Sequence, residues 1–266
     1  MGDRKVKENM RNIALLVEFD GTRYAGWQRQ KNVLSVQEAL ERSIAKIMKH
    51  DVTLTGCSRT DAGVHAAGHV SNFRTTNPIP VDKIPIALTT ALPDDIAVLE
   101  ATEVDLDFNA RYGARAKRYA YRIWNHPRPS ALRARYVLHE ARPLDTVAMG
   151  EAAQFFVGKH DFRAFMAMGS SAKTTVREIY KAEVEKDGYL IRIVVEGAGF
   201  LYNMMRIISG TLLYVGLGKI ETDAVPSIIA AGRRQAAGKT LSAKGLCLER
   251  VWFDAPLFFH HGGGIP

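Results

Sequence analysis

The strongest constraint on this chain is the order in which its two kinds of apolar periodicity recur. Asn12–Phe19 (NIALLVEF) reads as a strand and is followed by a Gly-rich loop, Asp20–Gln30 (DGTRYAGWQRQ). Ser35 opens a helix, with Glu38 three residues on in a capping-box pattern, and Val36, Leu40, Ile44 and Ile47 form its apolar face. Val52–Gly56 and His69–Arg74 read as strands, Val81–Ala91 as a helix interrupted by Pro85, and Ile96–Thr102 as a strand. The second part repeats the order. Lys117–Trp124 alternates with period two, Asp145–Phe156 is helical, and Val176–Glu185 and Tyr189–Glu196 pair through a turn at Lys186–Gly188, where Asp-Gly supplies the reversal. Leu201–Val215 is an apolar helix, Thr222–Ala231 a poorer one, and Leu248–Phe253 the last strand. Two βαββαβ units predict an α+β fold of two ferredoxin-like halves with antiparallel sheets joined around a central basic cleft. The repeat is one of element order, not of residue identity. The boundary falls near Asp107–Gly113, which divides the chain into 1–107 and 108–266.

Composition narrows the partner. Of the 266 residues, 36 are Lys or Arg and 28 Asp or Glu, a net charge of +8 that suits a polyanion without demanding one. The two cysteines, Cys57 and Cys247, lie far apart among small or apolar residues and form no metal-type cluster; they read as buried, reduced thiols of a cytoplasmic protein. Met1–Met10 is charged, unlike a secretory leader, and no apolar run approaches the ~20 residues of a membrane span. The Gly-rich tail His260–Pro266 reads as disordered.

The most informative stretch is Gly56–His65 (GCSRTDAGVH), a loop between strands that sets Arg59 and Asp61 two residues apart. An Asp here can be a nucleophile, a general base, or a turn residue whose carboxylate caps local N–H groups. Arg206 is the single charge in the Leu201–Val215 helix, flanked by Met204, Met205, Ile207 and Ile208. A guanidinium in such a place needs a carboxylate, for which Asp61 is a candidate, or must snorkel to water. Pairing with Arg206 would keep Asp61 ionised. On Lys117–Tyr121, Tyr119 and Tyr121 share one strand face while Arg118 and Arg122 share the other. That arrangement suits either a platform for a flipped base or a core aromatic pair beside a solvated basic face. His65 and His69 stand four apart, but Gly63 and Gly68 argue against a helix that would make them a metal pair.

Together these segments resemble the TruA family of tRNA pseudouridine synthases over almost the whole chain. Phe19–Gln30 resembles the family's YDG…GWQ opening, Ser35–Leu40 (SVQEAL) follows it, and Arg59–His65 (RTDAGVH) matches the active-site signature in full. Phe108–Tyr121 (FNARYGARAKRYAY), Gly158–Phe165 (GKHDFRAF), Phe200–Leu212 (FLYNMMRIISGTL) and Thr240–Leu248 (TLSAKGLCL) resemble the remaining motifs in order. The departures are Asn109 where His is common, Cys57 where a small residue is usual, and Leu241-Ser242 where Ala-Pro is common. None touches Asp61.

The resemblance implies isomerisation of uridine to pseudouridine at positions 38, 39 and 40 of the tRNA anticodon stem-loop, by a homodimer with no cofactor and no metal. It implies Asp61 as nucleophile, Arg59 as an RNA contact, Tyr119 as a platform for the flipped base and an aid to removal of the C5 proton, Arg206 as the partner of Asp61, and Leu246 as a pocket wall. Two rivals remain in view: a non-catalytic RNA-binding module on ferredoxin-like sheets, and a glycoside-type hydrolase, for which the motifs offer no second acid.

Overall fold

The computed structural model describes residues 10–170 and 172–259. The charged N-terminal stretch up to residue 9 and the Gly-rich tail from His260 lie outside the described residues. The chain divides into two compact units: one runs to Arg115 and takes up again from Leu248, and the other is Ala116–Cys247.

In the first unit, β1 (Arg11–Phe19), α1 (Val36–Met48), β2 (Thr55–Gly56), β3 (His65–Thr75), α2 (Ile84–Thr89) and β4 (Ile96–Val104) follow in the order that the periodicity predicts, and α3 (Ala110–Gly113) adds one helical turn. β1 is central. It pairs antiparallel with β3, Arg11 opposite Thr75, and with β4, Asn12 opposite Val104; β2 pairs with β3. β1 has a strand along each edge, and successive residues from Ile13 to Val17 are buried, so side chains on both of its faces are covered; Glu18 is the single charge of the run to Phe19.

At the start of α1, Ser35 Oγ accepts from the Glu38 N–H at 3.2 Å, while the Glu38 carboxylate takes Arg42 at 2.7 Å. The core row is Val36, Leu40, Ile44 and Met48, a strict four-residue spacing; Ile47, expected on that face, is only half-buried. Val52–Leu54 are outside the sheet, so β2 is shorter than its predicted span, whereas β3 begins four residues earlier than predicted. Pro85 does not interrupt a helix. A 3-10 turn at Val81–Lys83 leads into α2, and Pro85 sits in the first turn of α2, where a missing N–H costs nothing.

In the second unit, β5 (Ala116–Asn125), β6 (Leu138–Glu140), α4 (Thr146–Gln154), β7 (Gly158–Asp161), β8 (Val176–Asp187), β9 (Leu190–Gly197), α5 (Met204–Gly216) and α6 (Val225–Ala231) precede β10 (Leu246–Trp252), which begins here and runs on into the first unit. The sheet order is β5-β9-β8-β7, antiparallel, with β6 parallel to β5. β6 and β7 are too short to leave a period-two signal. The β8–β9 turn is one residue later than Asp-Gly predicts. Asp187 pairs with Leu190, leaving Gly188 and Tyr189 in the turn, with Gly188 at φ +56°, as a primed turn requires of its first central residue. The antiparallel α+β architecture predicted from the sequence is borne out.

Candidate active site

The Asp61 loop is held by backbone. Its first residue, Cys57, donates its N–H to Val70 O at 2.8 Å, and the loop closes on a turn in which Val64 N–H donates to Asp61 O at 3.1 Å. The Gly-rich loop after β1 lies against it: Trp27 N–H donates to Thr60 O at 3.1 Å, and Gly63 N–H to Tyr24 O at 3.2 Å. Gly26 makes that approach possible. It sits at φ +91°, and a Cβ there would come within 2.4 Å of Thr60 O. The opening motif of the chain is thus the support of the loop that carries Asp61.

Two side chains finish the support. The Trp27 ring stacks on His69 at 3.6 Å between centroids, and His69 Nε2 is 3.0 Å from Ser58 O. His65 Nδ1 lies 3.1 Å from both the Gly21 N–H and Asp20 Oδ1. Asp20 Oδ1 already accepts from Thr22 N–H at 2.9 Å, so the Gly21 donor decides the arrangement and Nδ1 accepts. His65 and His69 lie on a strand, buried and engaged with the loops around them. Among the described residues no three His, Cys, Asp or Glu side chains gather as a metal site. Asp61 is half-buried and Arg59 exposed at the loop surface. Cys57 is buried, with Sγ accepting from Val70 N–H at 3.4 Å, and Cys247 is buried also; neither forms a disulfide.

Tyr119, Arg206 and Leu246 belong to the second unit. Tyr119 and Tyr121 both project to one face of β5 and both are buried, and Phe200 meets the Tyr119 ring edge-on at 5.0 Å. Tyr121 donates its hydroxyl to Ser242 O at 2.7 Å; burial pushes its phenol up, partly offset by the nearby Arg206. The other face is not a solvated basic one. Arg122 is buried, and Arg118 forms an ion pair with Glu196, its cross-strand partner on β9.

Arg206 is half-buried in the first turn of α5. Its Nε donates to Leu241 O at 2.7 Å, its Nη1 to Asn203 Oδ1 at 2.6 Å, and its own carbonyl accepts from Leu241 N–H at 3.2 Å. Leu246 is buried at the start of β10. Sequence reasoning gave no role of their own to Asn203, Phe200 and Trp27, and weighed His69 only as a metal ligand. Their signal was position alone: each lies within a recognised motif or two strand steps from one.

A family model described as tRNA pseudouridine synthase matches residues 15–113 and 152–254, a span that includes the Asp61 loop, α5 and the start of β10. The chain is 49% identical over 244 residues to "tRNA pseudouridine synthase A" of Acetivibrio thermocellus, covering 92% of this chain and all of that one. It is 48% identical over 245 residues to the protein of that name from Ruminiclostridium cellulolyticum, with 92% of this chain and all of the relative aligned. Among solved structures, "Structure of H/ACA RNP bound to a substrate RNA containing 2'-deoxyuridine" aligns with 89% of this chain and 47% of its own at 13% identity, with a TM-score of 0.37, too loose a likeness to add to the argument. Spread over both units and nearly the full length of the curated relatives, these matches show that the chain belongs to the tRNA pseudouridine synthase family.

Proposed function

We propose that the protein isomerises uridine to pseudouridine at positions 38, 39 and 40 of the tRNA anticodon stem-loop, with Asp61 as nucleophile. The observation that carries this reading is the Asp61 loop: the full RTDAGVH signature, braced from behind by the loop of the opening motif and offering Arg59 to solvent. The reaction breaks the C1′–N1 bond, turns the base and forms C1′–C5, while a proton leaves C5 and one is gained at N1. Atoms and electrons balance within the substrate, so the chemistry calls for no cofactor.

In this reading Asp61 enables the glycosidic bond to break, and Arg206 pairs with it and keeps it ionised. Arg59 contacts RNA and helps to hold the target nucleotide out of its stack. Tyr119 stacks on the flipped base and assists removal of the C5 proton, and Leu246 forms a wall of the pocket. The net charge of +8 supports sequence-independent contacts to phosphates. The enzyme works as a cytoplasmic homodimer with one tRNA lying across both subunits. Among the described residues no helix is long and apolar enough to cross a membrane.

The test is incubation with unmodified tRNA transcripts and chemical mapping of pseudouridine, beside Asp61→Asn. Pseudouridine at positions 38 to 40 with the wild type alone is the expected result. Pseudouridine at other positions would keep the chemistry and overturn the substrate site. Tight tRNA binding without any product would favour a binding module, and release of free uracil a hydrolase.

A further inference from the structure

Asn203 occupies an unusual position. It is the residue before α5, where Asn ordinarily caps a backbone N–H of the first turn, yet its side chain makes no such bond. Its backbone is left-handed, at φ +60°, a conformation that Asn, Asp and Gly tolerate and most residues do not. That backbone turns the amide toward Arg206, whose Nη1 donates to Asn203 Oδ1 at 2.6 Å; a guanidinium only donates, so the amide must present its oxygen. Leu241 O receives the Nε of the same guanidinium at 2.7 Å. Both acceptors are uncharged. Directional bonds to a carbonyl and an amide aim the guanidinium, and neither cancels its charge. A carboxylate at either place would aim it as well and neutralise it. Tyr121, a titratable neighbour of Arg206 on β5, is kept protonated by its burial and adds no negative charge.

We propose that Asn203 is a positioning residue for Arg206: its neutral amide sets the direction of the guanidinium while leaving the positive charge whole for the reacting carboxylate. This rests on the reading above in which Arg206 serves Asp61. It explains why a polar residue in left-handed backbone stands there and forgoes the helix cap.

Two variants of the full chain test it, with pseudouridine formation on unmodified tRNA followed across pH. Asn203→Gly keeps the left-handed backbone and removes only the amide. It is expected to lower the melting temperature by no more than a few degrees, the cost of about one hydrogen bond, and to keep the wild-type KM for tRNA while kcat falls by about 10-fold or more, the effect of a slightly misaimed catalytic group. Asn203→Asp keeps the backbone and an acceptor but adds a negative charge against Arg206. The acid limb of its pH–rate profile is expected to move to higher pH, because a neutralised Arg206 no longer holds Asp61 ionised. Wild-type kcat in the glycine variant, or an unmoved acid limb in the aspartate variant, would overturn the proposal. Should the glycine variant fail to fold, the aspartate variant decides alone. A wild type that makes no pseudouridine would overturn the functional reading and this inference with it, whereas an active wild type beside indifferent variants would remove only the role of Asn203.

Discussion

The Asp61 loop and the Arg206 corner are held by different means. The Asp61 loop is held mainly from backbone to backbone, by Trp27 to Thr60, Gly63 to Tyr24, Val64 to Asp61 and Cys57 to Val70, with His69 to Ser58 O added from a side chain. Around Arg206 side chains carry most of the hold, the guanidinium to Leu241 O and Asn203 Oδ1 and the Tyr121 hydroxyl to Ser242 O, beside one backbone bond from Leu241 N–H to Arg206 O. A backbone frame is indifferent to most side-chain changes and vulnerable to an added Cβ at a close approach. A side-chain frame is vulnerable wherever a donor or acceptor is deleted, because a buried partner is then left unsatisfied. The two regions therefore differ in which mutations should break them.

The largest expected effect separates chemistry from framework. Asp61→Asn should leave the loop's backbone bonds in place and lower pseudouridine formation by at least about 1,000-fold, as loss of a nucleophile does, with tRNA binding retained in a filter or gel-shift assay. Arg206→Met comes next. It should reduce kcat by about 100-fold, in the range found for removal of a preorganised charge at a reacting centre, and raise the pH below which activity is lost. Unchanged activity would show that Arg206 is not the partner of Asp61.

Gly26→Ala tests the backbone frame directly. With φ at +91° and Thr60 O only 2.4 Å from the new Cβ, it should lower stability by about 2–3 kcal/mol in urea denaturation and displace the Asp61 loop. A fully stable and active variant would mean that the two loops can part without consequence. The smallest effect is expected from Tyr121→Phe, which removes the hydroxyl of a buried tyrosine and its bond to Ser242 O on an exposed residue, at a cost of about 1 kcal/mol in thermal or urea denaturation. If Tyr121→Phe cost more than Gly26→Ala, the contrast between the two frames would be reversed.

Much of the fold was legible beforehand because long elements carry their own periodicity. β1, β5, β8, β9 and the core row of α1 each present enough turns or alternations to be read without knowing their neighbours. What failed was short or shared. β6 and β7 span three and four residues and exist because β5 and β8 lie beside them. The β8–β9 turn slid by one residue, since strand register set by a whole cross-strand ladder outweighs the local preference of Asp-Gly. The site divides in the same way. Asp61, Arg59, Tyr119, Arg206 and Leu246 are candidates because the family resemblance attaches a role to each, whereas Asn203 and Trp27, within the same motifs, acquire meaning only through their partners.

The sequence by itself determined the two strand-and-helix series, the family, and the loop in which Asp61 stands, because each is written in contiguous residues. Only the tertiary structure decided that the opening Gly-rich motif braces that loop, that Leu248 onward returns to the first unit, and that Arg206 donates to an amide and a carbonyl. Each of these is a bond or contact between segments far apart in the chain or a product of one residue's left-handed backbone. Such relations depend on three-dimensional closure, which no local pattern of hydrophobicity encodes.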